Sequence, residues 1–304
     1  MSGPNPKPET ITVNVTAGLG NQLFQYAMGR ALSLRTGLPL QLDIRHFRKK
    51  RARDYGLDQF TIRVKIGTRQ TLPRQRPAVV PRWLWWRFAD TQNVIRQSGH
   101  GYDPRLEAVA GNAYLLGYWQ SEKYFQDYAS VIRDDLSWVQ EPNGLNRAVL
   151  DAIRETPSIA IHVRRGDYVK NPKYNAFYGT CPPRYYAASV ERIRSTTGRE
   201  PVAFIFSDDA AWAAENIRLP CPVRIVNHND GRAAAEDLRL IAACDHQVIS
   251  NSTFSWWGAW LNRNPHKQVC APSRWFRDPN VTNPDIIPSS WTVIDTELVS
   301  GTGP

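Results

Sequence analysis

Short β-branched and apolar runs alternate along this chain with segments whose apolar residues recur at helical spacing, a pattern that restricts it to parallel sheets covered by helices. Ile11-Thr12-Val13-Asn14-Val15 reads as a strand, and the glycine loop Gly18-Leu19-Gly20 follows it. A helical pattern then runs from Asn21 to Thr36, with Leu23, Phe24, Ala27, Ala31 and Leu34 on one side and Gly37 as its stop. Residues 38–43 give the next strand. The alternation returns in the second half, with strands expected at 158–163, 202–206, 223–226 and 247–249 and helices at 183–196, 210–217 and 234–243. Two such series in 304 residues predict two α/β lobes, 1–140 and 141–304, joined at Glu141-Pro142-Asn143-Gly144, with a C-terminal tail packing back on the first lobe.

The strand at 158–163 stops abruptly in His162-Val163-Arg164-Arg165-Gly166-Asp167. Fixed positive charge at the carboxyl edge of a parallel sheet suits a diphosphate, because open α/β folds bind ligands at that edge. Alternation along the strand puts His162 and Arg164 on one face and turns Arg165 away. Arg164 is then the residue to meet a diphosphate bidentately, while Arg165 pairs with Asp167 and braces the loop. A purely structural arginine–aspartate bridge is the competing reading.

Three further strings bear on the site. Thr16-Ala17-Gly18-Leu19-Gly20-Asn21-Gln22 lacks the third glycine of a dinucleotide fingerprint, so Gly18 and Gly20 either cradle a ligand or only permit a tight turn. Asn21 and Gln22 add two amides at the helix start. The strand at 202–206 ends in Ser207-Asp208-Asp209, where Asp208 reads as a helix cap and Asp209 as the ligand candidate. Ser250-Asn251-Ser252-Thr253-Phe254-Ser255 opens an aromatic helix, and hydroxyls with backbone N–H groups at a helix start form an anion site. Ser252, Thr253 and Ser255 are the expected donors, with Trp256, Trp257 and Trp260 as core.

The formal charge of +10 is concentrated early: residues 45–96 hold 14 Lys/Arg against 3 Asp/Glu, interleaved with tryptophans near 83–86. That stretch reads as a solvated basic surface or as peripheral contact with anionic lipid, the latter ahead of nucleic acid, for which no motif is present. The four cysteines, at 181, 221, 244 and 270, form no CxxC pair, and no apolar run is long enough to span a bilayer. A reducing cytoplasmic setting, with contact at the inner face of the membrane, is expected. The three Asn-x-Ser/Thr triplets, at 14, 251 and 280, are taken as chance matches.

Together, residues 18–27, the block Gly117-Tyr118-Trp119-Gln120-Ser121-Glu122-Lys123-Tyr124-Phe125, residues 162–168, Phe206-Ser207-Asp208-Asp209 and residues 250–257 closely resemble bacterial α-1,2-fucosyltransferases of glycosyltransferase family 11. The resemblance spans residues 11–262. It implies a GT-B fold of two Rossmann-like lobes facing across a cleft, with the donor held by the C-terminal lobe and the acceptor side on the N-terminal one. It further implies inverting transfer of L-fucose from GDP-β-L-fucose to the 2-hydroxyl of a galactose in an oligosaccharide or lipid-linked glycan, with no cofactor and no metal. By the same resemblance Arg164 contacts the diphosphate, His162 and Asp209 lie near guanine, residues 250–255 support the phosphates, and Asn21 reaches the reacting centre. Asp167 is the candidate base, with a leaving-group-assisted route as the alternative. Where the family commonly has Gly-Gly, this chain has Ala17-Gly18. A non-catalytic nucleotide or polyanion binder, and a transferase for another GDP-sugar, are the competing functions.

Overall fold

The computed structural model describes residues 9–48, 53–73, 93–230 and 233–297. The tryptophan- and arginine-rich stretch at 81–88, and most of the basic run at 48–53, lie outside them. The chain forms two compact units, 1–139 and 140–304.

Unit 1 is built on β1 (Ile11–Asn14), α1 (Leu19–Thr36), β2 (Leu40–Asp43), β3 (Lys65–Ile66), β4 (Asn93–Arg96) and β5 (Ala113–Leu116), followed by α2 (Ala129–Asp135). All strand pairs are parallel, in the order β3-β2-β1-β5-β4. Helix α1 stops where expected: Gly37 takes the left-handed conformation, φ 72°, that a Cβ would oppose. Strands β4 and β5 went unread in the sequence.

Unit 2 carries α3 (Gly144–Arg154), β6 (Ser158–Val163), α4 (Gly166–Lys170), α5 (Pro172–Tyr178), α6 (Pro183–Thr197), β7 (Val202–Ser207), α7 (Ala210–Asn216), β8 (Val223–Val226), α8 (Ala234–Ala243), β9 (His246–Val248), α9 (Thr253–Leu261), β10 (Val269–Pro272) and β11 (Thr292–Ile294). Its sheet is also parallel, in the order β11-β10-β9-β6-β7-β8. This is the doubly wound order, in which connections leave β6 to one side and β9 to the other.

Period-two alternation sorts β6 between two cores. Ile159, Ile161 and Val163 pack with Tyr185, Tyr186, Val190 and Ile193 of α6 and with Ala203 and Ile205 of β7. Ala160 faces the other way, with Phe204, Phe206, Leu150 and Ile153 of α3 and Leu240 and Ile241 of α8. His162 continues that second face, one position before the strand ends. Helix α9 is apolar all round and is enclosed accordingly: Trp256, Trp257 and Trp260 are core, as their reading required. Among the described residues no helix is long and apolar enough to cross a membrane.

Candidate active site

In unit 2 the strand order reverses between β6 and β9, so their following loops, 164–166 and 249–252, flank the crevice where a doubly wound sheet takes its ligand. A side-chain bond crosses it: His162 Nδ1 lies 2.9 Å from Ser250 Oγ, with both residues buried. Burial pushes the His162 pKa down to about 4; the Asp208 charge opposes that shift and the Arg164 charge adds to it. The imidazole is therefore neutral near pH 7, and its ring sits 5.5 Å from that of Phe254 at the start of α9.

The basic cluster read from the sequence is met by carboxylates in the fold. Arg164 donates from Nη2 to Asp167 Oδ1 at 2.5 Å and pairs through Nη1 with Asp208 Oδ2 at 2.8 Å. Arg165 pairs with Asp209 at 3.2 Å and lies over the Trp212 ring, 3.5 Å from its centroid. Two guanidiniums thus meet three carboxylates. The expected Arg165–Asp167 brace does not form, because β6 ends at Val163 and the strand parity argument fails for residues beyond it. What fixes the partners instead is the β6–β7 register: Val163 sits opposite Ser207, which lays 164–166 beside 208–209.

The helix cap expected at Asp208 falls one residue later. Asp209 is the cap of α7, accepting from Trp212 N at 3.4 Å. Asp208 reaches sideways instead, accepting from the backbone N–H of Arg165 at 2.8 Å and of Gly166 at 3.0 Å while holding Arg164. A side chain at Gly166 would force the Asp208 carboxylate to shift, since an added Cβ would run into Asp208 Oδ2.

At 250–255 the residues divide. Asn251 is buried and donates to the carbonyls of Tyr178 and Trp275, and Ser255 donates to Ser252 O from a fully buried position. Both hold the loop rather than present a group to a ligand, which corrects their reading as contacts. The Ser250 hydroxyl is engaged with His162. Ser252 caps α9 with no side-chain bond to it, leaving the N–H groups of the first turn, at Thr253 and Phe254, as the positive end of the helix. Arg164 and this helix start supply positive charge on the two sides of the switch point.

In unit 1, Gln22 is likewise corrected from ligand to strut. Fully buried, it donates to Ala17 O and Asp54 O and accepts from Gly56 N. Asn21 is partly exposed, and its Oδ1 accepts from Gln120 Nε2 at 2.8 Å. Gly18 begins α1 with open space beside it, whereas Gly20 is buried in the first turn. Ala17 sits in the left-handed region at φ 67°.

Sequence reading missed one polar cluster at the same sheet edge of unit 2. Asn146 at the start of α3, His228 and Asn229 after β8, and Asp237 in the first turn of α8 form a connected network. Burial raises the Asp237 pKa to about 7, against the Asn229 hydrogen bond and with help from Glu236. No motif announces these residues, since they stand as far as 91 positions apart (146 to 237).

Residues 101–295 match the sequence model of glycosyl transferase family 11. The protein belongs to that family. This family 11 glycosyltransferase is 28% identical over 298 residues to an α-1,2-colitosyltransferase of Escherichia coli, covering 94% of this chain and 99% of that one. It is 31% identical over 257 residues to a galactoside α-(1,2)-fucosyltransferase 2 of Sus scrofa, covering 82% and 69%. The solved structure of POFUT1 in complex with GDP aligns with a TM-score of 0.51 at 14% identity, covering 88% of this chain and 99% of that one. The two α/β units are those of the GT-B fold.

Proposed function

We propose that this glycosyltransferase moves L-fucose from GDP-β-L-fucose to the 2-hydroxyl of a galactose, with inversion and without a metal. The observation that carries the reading is Arg164, held by Asp167 and Asp208 at the switch point of unit 2, opposite the uncapped start of α9. The donor's diphosphate takes the remaining N–H groups of Arg164 and the backbone N–H groups at Thr253 and Phe254, with the Ser252 and Thr253 hydroxyls beside them. Neutral His162 and Phe254 bound the nucleoside side, and the Arg165–Asp209 pair fixes the loop next to it.

In the transfer, the bond between fucose C1 and the β-phosphate oxygen breaks and its electron pair leaves with GDP. The acceptor oxygen attacks C1 from the opposite face and loses its proton. Stabilising the charge that grows on GDP is the task of Arg164 and the α9 dipole, and a preorganised donor of this kind contributes about 3–4 kcal/mol. Asp167, with an oxygen committed to Arg164, serves as a positioning carboxylate, which favours the leaving-group-assisted route over base catalysis by Asp167.

A second donor has a specific observation behind it, because one relative is a colitosyltransferase. Transfer assays with GDP-fucose, GDP-colitose and GDP-mannose on a panel of galactosides separate the readings. Arg164→Ala is expected to lose at least about 100-fold in turnover while keeping a cooperative melting transition. Near-normal turnover in that variant would overturn the assignment.

A further inference from the structure

Arg164 meets one carboxylate at each end of its guanidinium, Asp167 at Nη2 and Asp208 at Nη1. Bonds of this kind fix the edges of the planar group and control its tilt less closely. A third contact acts on its face. The ring of Tyr168, four residues on and inside α4, has its centroid 5.2 Å from Arg164 Cζ, within the range at which the negative face of an aromatic ring attracts a cation. The other end of the same side chain reaches the opposite wall of the switch point: the Tyr168 hydroxyl donates to Asn251 O, 3.4 Å away, in the loop that leads from β9 into α9. Burial pushes the phenol's pKa up, with the Arg164 charge opposing, so near pH 7 the hydroxyl keeps its proton and its bond to Asn251.

Tyr168 is itself braced. Its ring stacks on that of Tyr178 at 4.5 Å with an interplanar angle of 6°, and Tyr178 packs in turn on Phe177 and Phe276. Asn251 closes the circuit, because its side-chain amide donates to Tyr178 O at 3.0 Å and to Trp275 O at 3.1 Å. Backbone N–H groups of Arg277 and Asp278 donate to Phe177 O and fasten α5 to the same loop after β10. Helices α4 and α5, five and seven residues long, are too short to be stable by helical order alone, so these tertiary contacts set where the Tyr168 ring stands.

We infer that Tyr168 is a positioning residue for the transfer, setting the tilt of the Arg164 guanidinium and its separation from the start of α9 so that both face one diphosphate. Arg164 follows β6 and the α9 turn follows β9, and Tyr168 touches the loops of both. The inference rests on the reading that Arg164 binds the donor's diphosphate.

The test uses the full chain, with GDP binding read by titration calorimetry and turnover read with GDP-fucose and lactose. Tyr168→Leu is expected to weaken GDP binding about tenfold and to lower kcat, while the KM for lactose moves less than about twofold. Tyr168→Phe keeps the ring but frees Asn251 O, and a loss of about threefold in GDP affinity is expected. Because Tyr168 acts through Arg164, either change made in an Arg164→Lys background should add less than about twofold; a merely structural role would multiply the losses. Should Tyr168→Leu lose its cooperative melting transition, Tyr168→Phe carries the same cycle. Unchanged GDP affinity in the Tyr168 variants, or losses that multiply with Arg164→Lys, overturn the inference. Arg164→Lys alone separates the two readings: if it weakens GDP while the Tyr168 variants do not, only the positioning role has failed, and if it leaves GDP affinity unchanged, the diphosphate reading has failed and the positioning role with it.

Discussion

Gly166→Ala tests whether the Asp208 carboxylate is what holds Arg164 in place. The added Cβ would lie 2.4 Å from Asp208 Oδ2 and 2.9 Å from its Cγ, about 1 Å short of ordinary contact. Both atoms belong to a side chain fixed by bonds to Arg165 N, Gly166 N and Arg164 Nη1, so relief means breaking some of them. Hydrogen bonds to a charged group contribute about 1.5–3 kcal/mol each. Losing two therefore costs roughly 3–6 kcal/mol before corrections. Asp208 is 28% and Arg164 22% exposed, so water takes over part of the lost bonding, and an alanine in a helix is about 0.5–1 kcal/mol better than glycine. A net loss of about 2 kcal/mol is expected, which for a unit of this size lowers Tm by roughly 4–8 °C. Turnover is expected to fall about 100-fold, because Arg164 keeps its charge but loses its geometry. Calorimetry and a GDP-fucose transfer assay read the two effects. The same substitution in an Asp208→Ala background should add little, since the atoms it strikes are gone. A wild-type Tm with wild-type turnover in Gly166→Ala, or full additivity of the two changes, would refute the reasoning.

Four other outcomes are expected. Ala17→Gly relieves a left-handed alanine that costs about 1–2 kcal/mol, partly offset by the greater freedom of unfolded glycine, so Tm should rise by the equivalent of up to about 1 kcal/mol; a fall in Tm contradicts the strain. His162 binds its proton only near pH 4 when folded but near 6.5 when unfolded, so stability drops as pH falls through that window, and His162→Asn should flatten the drop in Tm measured from pH 6.5 to 4. Asp237 has the opposite sign: its folded pKa of about 7 lies above the unfolded 3.8, so its contribution is lost as pH rises toward 7, and Asp237→Asn should melt higher than wild type at pH 8. Because the two windows overlap, only the single variants, compared across pH, reveal each slope. EDTA is expected to leave transfer unchanged, since Arg164 and the start of α9 supply the charge that a metal provides elsewhere; inactivation reversed by a divalent cation would count against the donor site.

What the sequence by itself determined was local. Apolar period and turn residues place β1, α1, β2, β6, α6, β7, α7, β8 and α8 to within a residue or two, because those signals come from neighbours along the chain. Strands β4, β5 and β11 stayed unread. The joint motifs also carried the family and brought Arg164, His162, Ser250 and Asn21 forward as candidates. Which polar groups are tied up within the fold follows from tertiary contacts. Gln22 closes on Asp54 and Gly56, more than 30 residues away, and Asn251 closes on Tyr178 and Trp275. Arg164 is gripped by one aspartate three residues on and another 44 residues on, while Arg165 passes to Asp209. The physical reason is that a charged side chain chooses among several nearby partners over differences of an ångström, and those are set by the register of β6 on β7 rather than by any pattern along either strand.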